Sequence, residues 1–306
     1  MAIAFLFPGQ GSQSVGMGRD VAAHFEAARA TFAEANDALG WDITALCFEG
    51  PKERLDQTEF TQPALLATSI AILRCLGDVG GRCAYVAGHS LGEYTALVAA
   101  GAIPFPDALR LVQLRGRLMQ AAVPAGEWGM AAVIGLDVAA VEAICAEAGD
   151  VVAANLNAPD QIVIAGRAEG ITLALALVKE KRGRGIRIPV SVPSHSPMMQ
   201  PACAPLSDAL DQINGRDLAM PLVNNKTARE VTTWVLAKAG LVAQLTSPLL
   251  WQASIQRLRV LGVDRFVEIG HGRVLSGLMK KIDPTAAILN VQDAVGVPVV
   301  REMLGF

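Results

Sequence analysis

The stretch Val86-Ala87-Gly88-His89-Ser90-Leu91-Gly92-Glu93 has the pattern of a nucleophile elbow. The apolar run over 85–87 predicts a short strand, and the residues from 91 onward predict a helix. Glycines at 88 and 92 suit a tight turn that leaves no room for Cβ atoms. The turn would present the Ser90 hydroxyl where the N-terminal N–H groups of the helix could hold an oxyanion. We therefore predict that Ser90 is a nucleophile, the alternative being a tight turn without chemistry.

The segments around the elbow predict an α/β fold. The apolar run over 2–7 ends at Pro8-Gly9 and is typical of a strand buried on both faces of a parallel sheet. Helices are expected over 17–39 and 106–123. Another is opened by Thr61-Gln62-Pro63, is apolar almost all round and should be buried. Further strands are expected over 221–224 and 265–269, with helices over 235–245 and 249–261. This order predicts a parallel sheet with helices on both sides.

The middle of the chain follows another pattern. Strands are expected over 129–134, 151–155, 161–166 and 186–192, and helices over 137–148 and 169–181. The order β-α-β-β-α-β predicts a ferredoxin-like insert. We place this small domain at 126–193, between proline-containing junctions, and the large catalytic domain at 1–125 and 194–306.

Composition excludes several classes of protein. The length of 306 residues suits a large domain with a smaller one. The net charge of −3 lacks the basic excess of proteins that bind nucleic acids or membrane surfaces. Its five cysteines are scattered and include no C-x-x-C pair, which argues against disulfides and zinc and indicates a reducing cytoplasm. No basic n-region opens the chain, and no apolar run is long enough to span a membrane.

A serine nucleophile needs a base within hydrogen-bond reach, and the chain has four histidines. His24 lies in an ordinary surface helix. His89 adjoins Ser90 but is expected on the other side of the turn, in a structural role. His195 lies on the proline-bounded junction between the domains, where clefts form, and we predict that it is the base. His271, in a loop that opens a helix, is the alternative. No two histidines share metal-ligand spacing, so we expect no metal.

One cation interrupts an apolar helix face. Arg115 falls on the stripe formed by Leu111, Leu118 and neighbouring apolar residues at helical spacing. A guanidinium on the core side is costly unless an anion meets it. It could form a structural ion pair or reach the surface. It could instead hold the carboxylate of a substrate through two parallel N–H···O bonds.

Six motifs, taken together, resemble those of the malonyl-CoA:acyl-carrier-protein transacylases. The resemblance covers essentially the whole chain. It implies an α/β-hydrolase-like large domain with a ferredoxin-like insert, in agreement with the order of elements above. The motifs are Phe7-Pro8-Gly9-Gln10-Gly11-Ser12-Gln13, Phe60-Thr61-Gln62-Pro63-Ala64, Gly88-His89-Ser90-Leu91-Gly92-Glu93, the residues around Arg115, Asn155-Leu156-Asn157, and Val192-Pro193-Ser194-His195.

The resemblance implies a role for each site residue. Ser90 would attack the thioester of malonyl-CoA, and His195 would take its proton and return it to the leaving thiol. The acceptor would be the phosphopantetheine thiol of acyl carrier protein, in fatty-acid biosynthesis, and no cofactor would be tightly bound. The backbone N–H groups of Gln10 and Leu91 would form the oxyanion hole. The main-chain carbonyl of Leu250 would orient the histidine. The substrate contacts would be Arg115, Gln10, Asn155 and Asn157.

Two residues depart from the family pattern. Relatives often carry a polar residue where Leu250 stands, although a backbone carbonyl does not depend on the side chain. His271 replaces the proline of a Gly-Pro-Gly turn, which could be neutral or could alter the loop near the cleft.

The partner implied by the resemblance is an acidic carrier protein. A basic run is a candidate dock for it, although a solvated charge run is an equally open interpretation. We expect a monomer that binds neither nucleic acid nor membranes. The run comprises Lys179, Lys181, Arg182, Arg184 and Arg187.

Three other functions stay open at this point. A serine hydrolase or thioesterase would share the elbow but needs a late histidine, a position that His271 occupies, and a glycine-rich oxyanion loop that the chain lacks. A binding scaffold with a degenerate site is disfavoured, because Ser90, Arg115 and His195 are all present. A free-standing acyltransferase could instead load a polyketide synthase carrier.

Overall fold

A computed structural model describes residues 2–124, 126–190 and 192–306. Residue 125, at the first predicted domain boundary, and residue 191, in the strand predicted over 186–192, lie outside the described residues. Within the described part of the chain, no helix combines the length and apolar character that crossing a membrane requires.

The described chain alternates strands and helices. The strands are β1 Ala2–Phe7, β2 Tyr85–Gly88, β3 Trp128–Ile134, β4 Val151–Ala158, β5 Gln161–Arg167, β6 Arg184–Ile188, β7 Leu222–Val223, β8 Glu230–Val231, β9 Val263–Ile269 and β10 Ala287–Val291. The helices are α1 Arg19–His24, α2 Glu26–Leu39, α3 Ile43–Glu49, α4 Lys52–Leu55, α5 Thr58–Cys75, α6 Leu91–Ala99, α7 Phe105–Ala121, α8 Val138–Ala148, α9 Ala168–Glu180, α10 Gln200–Asp211, α11 Trp234–Gln244, α12 Trp251–Val260, α13 Val274–Ile282 and α14 Gly296–Leu304.

The larger sheet has six strands in the order β10-β9-β1-β2-β7-β8. All neighbouring pairs are parallel except β7 with β8. Successive side chains of central β1 enter two separate apolar cores, Phe5 and Phe7 on one face and Ala4 and Leu6 on the other. Because both faces are covered, the strand reads as a continuous apolar run. The predicted parallel sheet is confirmed.

The smaller sheet has four antiparallel strands in the order β4-β5-β3-β6. Helices α8 and α9 cover one face and share a core with it. Met130, Val163 and Ile188, on the other face, line the cleft toward the larger sheet. This is the predicted ferredoxin-like arrangement, whereas the domain boundaries at 125/126 and 193/194 stay a prediction.

Two helix predictions need correction. The segment predicted as one helix over 17–39 is two, because Phe25 is extended, with φ −122° and ψ 126°. The helix predicted to open at Thr61 begins at Thr58. Thr61 does not cap it, because its hydroxyl donates to the carbonyls of Leu55 and Gln57 and accepts no backbone N–H.

Candidate active site

The elbow has the predicted shape. Strand β2 ends at Gly88, Ser90 has a positive φ of 54° with ψ −104°, and α6 begins at Leu91. A Cβ at Gly88 would lie 1.9 Å from backbone atoms of Gly92, and one at Gly92 would lie 2.0 Å from the carbonyl oxygen of Phe7. Only glycine fits at either position, so the spacing of the motif follows from the tight packing of strand, turn and helix.

His195 and Ser90 meet across the cleft. The Nε2 atom of His195 lies 2.8 Å from the Ser90 Oγ. Both residues hold a positive φ, 54° for Ser90 and 58° for His195, which is uncommon outside glycine and typical of strained functional sites. The pair predicted from the sequence is therefore in hydrogen-bond contact.

The carbonyl that orients His195 belongs to Gln244. The His195 Nδ1 atom lies 2.8 Å from the main-chain oxygen of Gln244, so Nδ1 carries the proton and donates it. Gln244 is the last residue of α11, where carbonyls lack intrahelical partners. The assignment to Leu250 is wrong: its carbonyl accepts from the N–H and the hydroxyl of Ser254 in the first turn of α12.

The electrostatic environment keeps His195 neutral. Burial, together with the positive charge of Arg115, lowers the pKa of His195 to about 3. Since the proton resides on Nδ1, the lone pair of Nε2 is free to accept the hydrogen of Ser90 Oγ. The imidazole is therefore unprotonated at neutral pH, as a general base must be before it takes a proton.

Arg115 is buried beside the nucleophile, with 1% of its surface exposed. Its Nη1 donates to Gln62 Oε1 and its Nη2 to Gln244 Oε1, both at 2.9 Å, and Nη2 also lies 3.3 Å from Ser90 Oγ. No carboxylate lies within 4.0 Å of the guanidinium among the described residues, and its Nε has no hydrogen-bond partner there. The structure therefore does not contain the structural ion pair considered as an alternative.

Two backbone N–H groups border the same cleft as Ser90. Leu91 is the first residue of α6, so its N–H has no intrahelical acceptor. Gln10 lies in the turn after β1, and its side chain donates to Thr58 at 3.2 Å. Both residues line the cleft that contains Ser90, and their role as oxyanion hole stays a prediction.

The small domain supplies the opposite wall. Asn155 and Asn157, on β4, line the cleft. The Oδ1 atom of Asn157 accepts from His89 Nε2 at 2.8 Å, whereas the buried Oδ1 of Asn155 has no partner among the described residues. Asn155 can therefore accept a hydrogen bond from a ligand, and Asn157 can donate one.

The other two candidate histidines have different surroundings. His89 borders the cleft, contrary to its predicted place on the far side of the turn, but its Nε2 is engaged by Asn157 and its ring packs edge-on to Trp251. His271 lies 2.6 Å from the Ser14 hydroxyl, outside the cleft lining, and makes no contact with Ser90. The described residues contain no group of three or more side chains that could hold a metal.

A polar network behind the nucleophile was not predicted from the sequence. The Ser90 N–H donates to Asn225 Oδ1 at 2.9 Å, and the Asn225 Nδ2 donates to the carbonyl of Gly88 at 2.8 Å. Gln244 Nε2 donates to Glu93 at 2.6 Å and approaches the Ser90 carbonyl at 3.2 Å. The one available signal was the position of Asn224-Asn225 directly after β7, since ligand sites form at the carboxyl ends of parallel strands.

An elbow serine, a neutral histidine and a buried arginine around one cleft define a class of enzyme that can carry a carboxylated acyl group on serine. Residues 4–303 match the acyl transferase domain family. The chain belongs to the malonyl CoA-acyl carrier protein transacylase family. It is 47% identical over 298 residues to the malonyl CoA-acyl carrier protein transacylase of Escherichia coli strain K12, a match that spans 95% of this chain and 96% of that protein.

Solved structures agree with this assignment. The malonyl CoA-acyl carrier protein transacylase of Coxiella burnetii superposes with a TM-score of 0.97 at 41% identity, covering 100% of this chain and 98% of that one. A malonyl-transacylase in complex with a type II polyketide synthase acyl carrier protein superposes with a TM-score of 0.96 at 42% identity, covering 99% and 100%. These likenesses extend to the α/β-hydrolase-like large domain and the ferredoxin-like small domain.

Proposed function

We propose that this protein transfers the malonyl group of malonyl-CoA to the phosphopantetheine thiol of acyl carrier protein, in fatty-acid biosynthesis, through a malonyl-Ser90 intermediate. One observation carries the proposal: the Ser90 Oγ lies between His195 Nε2, at 2.8 Å, and Arg115 Nη2, at 3.3 Å. The base can take the serine proton, and the cation can hold a carboxylate at the other end of a three-carbon acyl group.

In the first half-reaction, His195 Nε2 takes the Ser90 proton while Oγ bonds to the thioester carbonyl carbon. The N–H groups of Gln10 and Leu91 stabilise the resulting oxyanion. The carbon–sulfur bond then breaks, and His195 returns its proton to the leaving thiolate of CoA. In the second half-reaction the phosphopantetheine thiol gives its proton to His195 while its sulfur attacks the malonyl ester. The bond between the carbonyl carbon and Ser90 Oγ then breaks, and His195 returns the proton to Oγ. No tightly bound cofactor is needed.

The proposed substrate contacts follow from the cleft. Arg115 holds the malonyl carboxylate, because each of its two Nη groups gives one hydrogen to Gln62 or Gln244 and keeps a second hydrogen for the substrate. Asn155 and Asn157 face the path along which the pantetheine arm, common to donor and acceptor, must reach Ser90. Their carboxamides suit the two amide groups of that arm.

A chase experiment separates transfer from hydrolysis, the activity expected of a serine esterase or thioesterase. Enzyme loaded with labelled malonyl-CoA and freed of CoA should keep its label in buffer and release it to phosphopantetheinylated carrier protein. Release of the label as free malonate at the same rate with or without carrier would contradict the proposal. Carrier proteins of fatty-acid and polyketide systems, tested side by side, distinguish the two pathways.

We further propose that the carrier docks near the basic run over 179–187. The register of β6 supports a part of it: Arg184 lies opposite Ile134, on the same face as the cleft-lining Met130 and Ile188. Arg187 lies on the other face, where it donates to Thr172 of α9. Of the two arginines on β6, Arg184 is therefore the better placed to meet a partner at the cleft.

Reversing the charge of Arg184 tests this dock. The Arg184→Glu variant should slow transfer to carrier protein roughly two- to five-fold at low salt, because exposed charge pairs contribute little and are screened, and should leave loading from malonyl-CoA unchanged. Arg216→Glu, an exposed cation on another surface, is the matched control. Equal rates of transfer to carrier protein in the two variants would contradict the dock and support the alternative that the run is a solvated charge cluster.

We also place the reaction in the cytoplasm and propose a monomer with domain boundaries at 125/126 and 193/194. The five cysteines are free and buried, as suits a reducing compartment. The boundaries lie between the elements of the two sheets.

A further inference from the structure

A buried carboxylate lies behind the nucleophile and has no part in the acyl-transfer steps. Glu93, in the first turn of α6, is fully buried. Its Oε1 accepts from Asn224 Nδ2 at 2.8 Å, and its Oε2 accepts from Gln244 Nε2 at 2.6 Å and from the N–H of Asn225 at 3.3 Å. All three partners are N–H donors, which is what an ionised carboxylate requires. No cation lies within 4.0 Å of it among the described residues.

Gln244 connects this carboxylate to the substrate site. Its Nε2 donates to Glu93, and its Oε1 accepts from Arg115 Nη2 at 2.9 Å. A carboxamide has a donor end and an acceptor end, so an acceptor-only group at Glu93 fixes the oxygen toward Arg115. With the carboxamide reversed, an NH₂ group would face the guanidinium, and Arg115 would lose an acceptor. Its Nε already lacks one in the described structure.

The arrangement leaves the guanidinium free for a substrate anion. Arg115 is held by two neutral oxygens, those of Gln62 and Gln244, while the compensating negative charge of Glu93 lies one residue further away. A protein carboxylate in direct contact with Arg115 would take the place of the substrate's carboxylate. Placed behind Gln244, Glu93 orients the arginine without occupying it.

We propose that Glu93 is a positioning residue that, through Gln244, holds Arg115 in the orientation that binds the substrate's carboxylate. This inference rests on the proposed function, because it concerns selection of a carboxylated acyl group at the same site. An acetyl group presents no carboxylate and does not need an oriented Arg115. Glu93 therefore controls the preference for malonyl over acetyl more than the acyl-transfer chemistry itself.

The protonation of Glu93 gives this role a pH signature. Burial raises the pKa of Glu93 to about 7, against the lowering effects of Gln244, Asn225 and Arg115. Arg115 of α7 is the charged group that acts on it, and Tyr94, the neighbouring titratable group on α6, has its pKa raised to about 12. The segment after β7 and the end of α11 present amides only. Below about pH 7, Glu93 gains a proton and ceases to be an acceptor-only group.

Stability measurements check that protonation independently of activity. Because its folded-state pKa lies above the ordinary value of 4.5, Glu93 contributes stability that is fully present below pH 4.5 and is lost as the pH rises through about 7. The melting temperature of the wild type minus that of Glu93→Gln should therefore decrease as the pH rises from 4.5 to about 7. A pH-independent difference would show that Glu93 does not titrate there and would overturn the pH signature.

A double-mutant cycle tests the route through Gln244. Gln244→Met removes the oriented carboxamide but keeps the main-chain carbonyl that holds His195. If Glu93 acts through Gln244, the Glu93→Gln change should shift the malonyl-to-acetyl preference in the wild-type background and add little in the Gln244→Met background. Fully additive shifts would contradict the relay.

Glu268 offers a matched control. It is also a buried carboxylate with a raised pKa, and it accepts from the N–H groups of Leu275 and Ser276 at 2.9 Å. Because it caps α13 and makes no contact with Gln244 or Arg115, Glu268→Gln should alter the melting temperature without altering the malonyl-to-acetyl preference. A shift equal to that of Glu93→Gln would make the effect a general one of losing a buried acid, and would contradict the proposal.

The deciding experiment measures kcat/KM for malonyl-CoA and acetyl-CoA from pH 5.5 to 8.5. In the wild type, the ratio of kcat/KM for malonyl-CoA to kcat/KM for acetyl-CoA should decrease as the pH is lowered below about 7. His195 cannot cause this acid limb of the pH profile, because its pKa is about 3. Glu93→Gln should lower the ratio roughly 10- to 100-fold at pH 8, the scale of losing one charged hydrogen bond, and abolish the limb. If Glu93→Gln keeps the wild-type ratio and acid limb, or shifts the ratio toward malonyl, the role of Glu93 is overturned but the proposed malonyl transfer is not. If the wild type transfers no malonyl group at any pH, both the role of Glu93 and the proposed function are overturned.

Discussion

Replacement of Arg115 by alanine is expected to lower kcat/KM for malonyl loading by roughly 30- to several thousand-fold, because truncating one partner of a buried charge pair costs about 2–5 kcal/mol. The variant leaves the substrate's carboxylate in a buried site with no cation to meet it. Loading from acetyl-CoA should fall far less, since acetyl has no carboxylate to lose. Measuring both specificity constants should therefore show a preference shifted toward acetyl.

Arg115→Lys provides the control for charge without geometry. Lysine keeps a positive charge but cannot donate in the two-pronged manner of a guanidinium, so it should recover only part of the malonyl preference. The competing role for Arg115 is structural, through its bonds to Gln62 and Gln244. That role predicts equal losses for malonyl and acetyl with a lowered melting temperature, and this result would contradict the carboxylate site.

The features predicted correctly from the sequence depend on local patterns. The apolar run over 2–7 indicated a strand buried on both faces, and β1 lies in the middle of the larger sheet. The alternation of elements over 126–193 indicated the ferredoxin-like insert. The Ser90 turn was recognisable because only glycines fit at 88 and 92. In each case neighbouring residues carry the constraint, so the sequence displays it directly.

The Ser90–His195 contact could be predicted for a different reason. The two residues are 105 positions apart, and no periodicity joins them. Elimination among four histidines, together with the position of His195 at a domain junction, selected the pair. Arg115 was identified because a cation on an apolar helical stripe is costly, and the structure places it beside Ser90.

The parts that could not be predicted are contacts without a sequence signature. Any residue has a carbonyl, so nothing in the sequence distinguishes Gln244 from Leu250 as the group that orients His195. The choice depends on where α11 ends in space. The same holds for Glu93, because nothing in the elbow motif indicates its bond to Gln244.

Two histidine variants test the assignment of the base. His195→Ala should slow loading and unloading of Ser90 by roughly 10²- to 10⁴-fold, the usual contribution of a positioned general base. His271→Ala should leave both rates unchanged, because His271 contacts Ser14 and not the nucleophile. A comparable loss in the His271 variant would show that the assignment of the base to His195 is wrong. Pre-steady-state measurement of each half-reaction gives the two rates separately.

The proposed mechanism depends first on a covalent intermediate at Ser90. Ser90 is the nucleophile because its hydroxyl lies 2.8 Å from an imidazole that burial keeps neutral, at the start of a helix whose first N–H is unpaired within the helix. Ser90→Ala removes the attacking oxygen and nothing else from the cleft. It should abolish the acyl-enzyme while the fold and its melting temperature are kept.

Intact-mass spectrometry of the protein after incubation with malonyl-CoA alone, followed by peptide mapping, tests this claim most directly. We expect one malonyl group to be added to the wild type, the modified peptide to carry it on Ser90, and Ser90→Ala to carry none. An adduct of undiminished amount in the Ser90→Ala variant, or one mapped to another residue, would contradict it.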